Sequence, residues 1–395
     1  MTKYNAVKVI ALLAAVCLLV FGQNCSKPFE IADSTGLSSN AKTGNTDEPA
    51  GPVVPLTDSE RLGLKGRIAP EDYVFPTDFS VGGFPTKLSA TKLFKNLTTL
   101  EAGAGLIPFE VNMPLWSDGA IKQRWYALPA GAEKIIFSKA DNWIFPKGTV
   151  LVKQFNLRTS PTMIRRLETR VFVNENNGWK GYTYKWNQDQ TDADLLDGAA
   201  PLTESITITD ANGVTSMQTW SYPSRAQCIQ CHSNGGFALG VRTHQLNNFV
   251  SYGSGSYMNQ LQVLKDLKLI SGDMPDSTTL DAFPRPDNSY ISNESRALAY
   301  LSVNCGTCHY GTTAPFGVKL HFSYSLEDMN IINVAANNKL ELGATAVRVK
   351  PGDKAASALF SRISRTDAAR MPKIGSAVVD PTGISIVGQW IDSLQ

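Results

Sequence analysis

The chain has 395 residues, 43% of them hydrophobic and 18% charged, which is enough apolar content for two or three cores and excludes a coreless or wholly disordered protein. Lys and Arg number 37 against 35 Asp and Glu, so the formal charge is +2 and no basic cluster suggests nucleic-acid binding. The informative counts are small: six cysteines and four histidines.

Lys3 and Lys8 precede an apolar run of 14 residues from Val9 to Gly22. A basic start followed by a run shorter than the roughly 20 residues of a membrane span reads as an export signal over residues 1–24. Cys25-Ser26 then resembles the first two mature residues of a bacterial lipoprotein, which makes Cys25 a lipidation site and the periplasm, at the outer membrane, the expected location. Cys17 is a weaker competitor within the signal. From Asp33 to Pro55, 14 of 23 residues are Ser, Thr, Gly, Asn or Pro and none is aromatic, so residues 25–56 are expected to form a flexible tether.

Residues 57–220 carry strand character. Val150–Phe155 and Leu167–Val173 are rich in β-branched and aromatic residues, Gly181–Trp186 and Ser205–Thr209 alternate, and turn chemistry at Asn176-Asn177-Gly178 and Asp210-Ala211-Asn212-Gly213 separates such runs. After Pro223 the periodicity becomes helical. The predicted fold class is therefore α+β: a β-rich N-terminal domain, then mainly α-helical cytochrome c-like segments over 221–290 and 291–395. Helices are expected from Ser221-Tyr222-Pro223 to Cys228, from Met258 with Leu264, Leu267 and Leu269-Ile270 as its apolar content, from Ser292 or Asn293 to Cys305, and beyond Pro381.

Cys228-Ile229-Gln230-Cys231-His232 and Cys305-Gly306-Thr307-Cys308-His309 both have the form C-x-x-C-H. Cysteines three apart lie on one side of a helical turn, where their sulfurs meet the two vinyl groups of a haem, and the adjoining imidazole faces the iron. Two covalently attached c-type haems are expected. A shared zinc site or two disulfides would use the thiols but leave His232 and His309 unexplained. Met371, in the polar loop Arg370-Met371-Pro372-Lys373, is the candidate sixth iron ligand at the second motif. At the first motif His244, Met258, Met274 and an open position all remain candidates. His321 follows His309 by the same 12 residues that separate His244 from His232, although its alternating surroundings suggest a strand.

With these motifs in view, the chain resembles a family of exported bacterial di-haem c-type cytochromes, mostly hypothetical proteins, with a β-rich region before the haems. The likeness spans about residues 65–395. It is carried by Pro114–Ala120, Phe145–Val150, Glu168-Thr169-Arg170, Gly181–Asn187, Gln245-Leu246-Asn247, Asn259-Gln260-Leu261, Arg296 to His309, Pro351-Gly352-Asp353 and Met371-Pro372. The resemblance implies electron transfer between exported redox partner proteins. Two other readings stand beside it: a peroxidase-like oxidoreductase with an open first haem, and a binding module whose β-region recognises a surface polymer.

Overall fold

Pairing begins with the β-branched and aromatic runs. In the computed structural model, residues 83–103, 105–129, 134–233, 236, 238–252 and 257–395 are described, so the export signal, Cys25, the tether and the first residues of the expected β-region lie outside the described residues. Six strands form one antiparallel sheet in the order of the chain: β1 (Ile107–Pro108), β2 (Ile121–Ala127), β3 (Val150–Ser160), β4 (Met163–Glu175), β5 (Gly178–Trp186) and β6 (Ala193–Leu195). The β4–β5 hairpin turns through Asn176 and Asn177 into Gly178, whose φ of 105° a side chain would resist. A second hairpin, β7 (Leu202–Thr209) with β8 (Thr215–Tyr222), turns through Asp210–Gly213.

Because side chains alternate along a strand, the register sorts the sheet into two faces. One buries Trp125, Val152, Val171 and Tyr184 beneath Leu88, Leu93 and Leu106. The other carries Tyr126, Leu151 and Phe172, which join Val241, Leu246, Leu261 and Leu264 from beyond residue 220 in a second core. Phe155 and Leu167 pack with Trp220 and Tyr222 of the hairpin in a third.

The mainly α-helical, cytochrome c-like architecture expected after residue 220 is not what forms. Strand makes up 28% of the interpretable chain against 22% helix, and the six helices are mostly short. They are α1 (Arg225–His232), α2 (Thr243–Leu246), α3 (Gln260–Asp266), α4 (Asn293–Asn304), α5 (Ala358–Ile363) and α6 (Pro381–Ser393). Two physical reasons account for this. The apolar stripes of α1–α3 are too short to cover one another and instead pack against the sheet; Leu269-Ile270, expected to extend α3, leaves it, and Ile270 pairs in parallel with Ile135. Between α4 and α5 the backbone closes through turns, single 3-10 turns such as Pro315–Gly317 and isolated bridges such as Ile332 to Val349, not through an α-helix.

Side-chain amides join the parts. Gln245 Oε1 accepts from Met113 N–H at 2.9 Å and its Nε2 donates to Met113 O at 2.8 Å; Gln260 does the same with Glu110, both at 2.9 Å. Each amide imitates a strand partner for a backbone that would otherwise be buried unpaired. These bonds run directly across residue 220, and all described residues fall in the unit Val54–Gln395.

Helices α4 and α6 cross where Gly383 faces Tyr300. A Cβ on Gly383 would stand 2.2 Å from the Tyr300 ring, so only glycine permits this approach. Gly383→Ala is expected to destabilise the protein by about 1–3 kcal/mol, the usual effect of overpacking. Urea denaturation checks this, and adding Tyr300→Leu should recover part of the loss.

Candidate haem-binding site

Helix α1 is started by a capping box: Ser224 Oγ accepts from Gln227 N–H, and Gln227 Oε1 accepts from Ser224 N–H at 3.0 Å. The cap is therefore Ser224, three residues later than the expected start at Ser221. From there Cys228, Cys231 and His232 follow on one helix that lies on β5. Gly181 is the floor under Cys228: an added Cβ would meet Phe172 at 3.2 Å and the Cys228 sulfur at 3.5 Å. The His232 ring packs on Phe172 with centroids 4.1 Å apart, and Phe172 in turn stacks on Trp179 at 5.3 Å.

The second motif forms one turn at the end of α4. Cys305 caps that helix, and its carbonyl accepts from Cys308 N–H at 3.1 Å and His309 N–H at 2.9 Å. Gly306 allows the turn, since a Cβ there would stand 2.4 Å from the Ser302 carbonyl oxygen. His309 Nδ1 donates to Val318 O at 3.1 Å, which fixes the tautomer and leaves the Nε2 lone pair for a metal. Burial lowers the His309 pKa, which favours that neutral form.

All four motif cysteines are free thiols. Burial raises the pKa of each, to about 12 at Cys305, and Cys308 adds to the upward shift at Cys231, so these two thiols lie within electrostatic reach of each other. Among the described residues no group of three or more His, Cys, Asp or Glu is arranged to hold a metal ion. The donor set fits a group held by paired thioethers and one imidazole per motif: each motif keeps its two sulfurs and its ring on one turn, and His309 has a committed Nδ1.

The remaining candidates occupy different surroundings. His244, on α2, is buried between Phe283 and Phe322, with ring centroids at 5.1 and 4.2 Å, and its Nδ1 has no hydrogen-bond partner. Met274 is a core residue, whereas Met258 is only partly buried on its short strand. Met371 N–H donates to Arg362 O at 3.0 Å, and the charge of Arg362 also acts on His309, so the Met-Pro loop lies near the second motif. His321 is in a turn rather than the expected strand. Its Nε2 accepts from Arg242 Nη1 at 3.1 Å, a bond that occupies the nitrogen a metal would need.

A cleft open to solvent lies between the sheet and the second motif; Gly306, Tyr310, His321, Arg242, Arg124 and Lys153 are among its walls. The sequence signalled none of these basic residues as a group, because they are scattered from 124 to 242. The loop Pro114–Ala120 lies at one end: Trp116 N–H donates to Asn304 Oδ1 at 2.7 Å, its Nε1 to Val378 O at 2.8 Å, and Asp118 Oδ1 accepts from Val378 N–H at 2.9 Å. That loop positions the end of α4 and the approach to α6.

In comparisons with protein-family models, curated proteins and solved structures, nothing matches the chain. Among the described residues no helix is long and apolar enough to cross a membrane.

Burial, with the charges of Arg242 and His244, lowers the His321 pKa to about 3. An unfolded histidine titrates near 6.5, so between about pH 6.5 and about pH 3 the unfolded chain binds the additional proton and stability falls as pH falls. His321→Asn should remove this part of the slope. Denaturation midpoints at about pH 7.5 and pH 5 compare the two proteins; parallel curves would show that His321 contributes none of it.

Proposed function

We propose that the protein is an exported di-haem c-type cytochrome that passes single electrons between redox partner proteins. The observation that supports this most is that two C-x-x-C-H turns, 77 residues apart between Cys228 and Cys305, each keep two sulfurs and an imidazole on one turn, the first on a sheet-bound helix and the second at the end of a packed one, with Cys231 and Cys308 within electrostatic reach of each other. Cys228 and Cys231, and Cys305 and Cys308, would hold the haems, with His232 and His309 as iron ligands and Met371 as sixth ligand at the second. Lipidation at Cys25 and a periplasmic location at the outer membrane belong to the same reading.

A bound haem supplies one reversible iron(III)/iron(II) electron. The chain's own part is orientation and potential. Val318 O holds the His309 ring by Nδ1, the Phe172 ring supports His232, Gly306 lets the second thiol-bearing turn close where a Cβ would strike the Ser302 carbonyl, and Gly181 leaves room for Phe172 and Cys228 without crowding. The Met371 thioether, a soft ligand, would favour iron(II) and a higher potential than a second imidazole.

An oxidoreductase reading is favoured by one observation, the cleft with Arg242 and His321 in hydrogen-bond contact beside the second motif. Ligand binding separates the two. A carrier with both irons six-coordinate resists carbon monoxide when reduced and cyanide when oxidised, whereas an open haem takes them up.

When the full chain is expressed with a c-type maturation system, denatured wild type should retain the mass of two haems. Cys228→Ala and Cys305→Ala should each weaken attachment at one site, as should Gly181→Val at the first by displacing Cys228. Wild type without covalent haem would defeat the proposal. Met371→Ala should abolish the sulfur-to-iron charge-transfer band and lower one midpoint potential; an unchanged spectrum would remove Met371 from the iron.

A further inference from the structure

The sheet face turned toward α1 carries its cations in register. Arg124 on β2 is directly opposite Lys153 on β3, which is directly opposite Arg170 on β4. One row along, Lys122 pairs with Phe155 and Phe155 with Glu168. Like charges directly opposite on neighbouring strands repel, and a stable sheet ordinarily separates them. Among the described residues, the ion pair that joins these side chains to one another is Arg170 with Glu168, held through Nε at 3.0 Å and Nη2 at 2.5 Å. Among the described residues the side chains of Arg124 and Lys153 make no hydrogen bond or ion pair; Lys153 Nζ lies 5.1 Å from the Phe155 ring centroid. Both line the cleft beside the second motif, and both Lys153 and Arg170 act electrostatically on Cys231 of the first.

We propose that Arg124, Lys153 and Arg170 form a carboxylate clamp that takes the propionate groups of a haem attached at the C-x-x-C-H motifs. The clamp rests on the di-haem reading above. Half-buried cations such as Arg124 and Lys153 that lack an anion beside them are stabilised when one completes them, and a haem carries two carboxylates that must be placed somewhere once its vinyl edge is tied to a helix. The row offers what they require: a guanidinium fork at Arg124, a point charge at Lys153, and the part of Arg170 not used by Glu168. Other charged groups facing Lys153 are Lys122, Glu168 and Cys231, with Asp141, Arg242 and His321 around the cleft and Glu110 near Arg124. Cations dominate this set. The clamp should therefore keep both propionates ionised across neutral pH, and the positive charge should favour iron(II).

The test is spectroelectrochemical titration of the full-length holoprotein from about pH 5 to about pH 8, a window above the ordinary carboxyl range. The wild-type potential of the haem beside the clamp should be flat. In Lys153→Met that haem should shift to lower potential and acquire a potential that falls with rising pH, as its propionates now titrate within the window. Lys185→Met, which removes a cation of the same face that is already paired with Glu204 at 3.0 Å, should change neither. If Lys153→Met does not accumulate, Arg124→Gln is expected to act in the same direction, and the wild-type profile needs no variant at all. A wild-type potential that already falls across the window, or a Lys153→Met protein indistinguishable from wild type, overturns the clamp while leaving the haems in place. Succinate added at constant ionic strength is the arm for a free carboxylate: a shift in wild type that Lys153→Met abolishes would assign the row to a soluble anion instead. Absence of covalent haem from wild type is a different failure, and it removes the di-haem reading together with the propionates.

Discussion

Cross-strand register is the constraint on which the rest of the molecule depends. Tyr126, Leu151 and Phe172 stand side by side because β2, β3 and β4 pair without a slip in that stretch, and a shift of one residue would turn all three to the opposite face. The same register sets Arg124, Lys153 and Arg170 in the next row and places Gly181 opposite Phe172. The face that receives α1 thus has an apolar floor with a gap for Cys228 and, directly beside it, a strip of positive charge. Chemistry and packing are two rows of one sheet.

The two thiol-bearing turns reach that face by different routes. The first is a short helix resting on the sheet, its N-terminus held by the reciprocal Ser224–Gln227 bonds. The second hangs from α4, which is fixed by Gly383 against Tyr300 and by the Trp116 contacts to Asn304 and Val378. Between them, Gln245 and Gln260 pair with the backbone of residues 113 and 110. Such bonds to buried backbone are individually modest, about 1 kcal/mol each, but leaving the backbone unpaired would cost more.

Much of the local structure was legible from the residues. The strands around Val150, Leu167 and Gly181, the turns at Asn176 and Asp210, and the helices that begin at Asn293 and Pro381 follow from periodicity, capping and turn chemistry. Helical architecture after residue 220 did not, because periodicity reports which face of a segment is apolar and is silent about what covers it. Leu264 and Leu246 could have packed on neighbouring helices; they pack against Tyr126 and Phe172. His321 looked like a strand residue because Leu320 and Phe322 flank it, yet its carbonyl accepts from Tyr324 N–H in a turn. Gln245, Gln260 and Trp116 were visible as residues, but their role as backbone partners was not, since each acts over more than a hundred positions in sequence.

By itself, the sequence determined the chemistry available: four thiols and two imidazoles in two C-x-x-C-H turns, whose spacing along one helical turn is a local property of the backbone. It also determined which strands would form, because alternation and turn residues act over a few positions. Tertiary structure alone decided that Cys231 and Cys308 come within electrostatic reach of each other, that His309 commits Nδ1 to Val318 while His321 commits Nε2 to Arg242, and that cations 29 and 17 residues apart along the chain, at Arg124, Lys153 and Arg170, become neighbours. The reason is physical: pairing register and long-range packing are set by the summed burial of many side chains, and no single segment carries that sum.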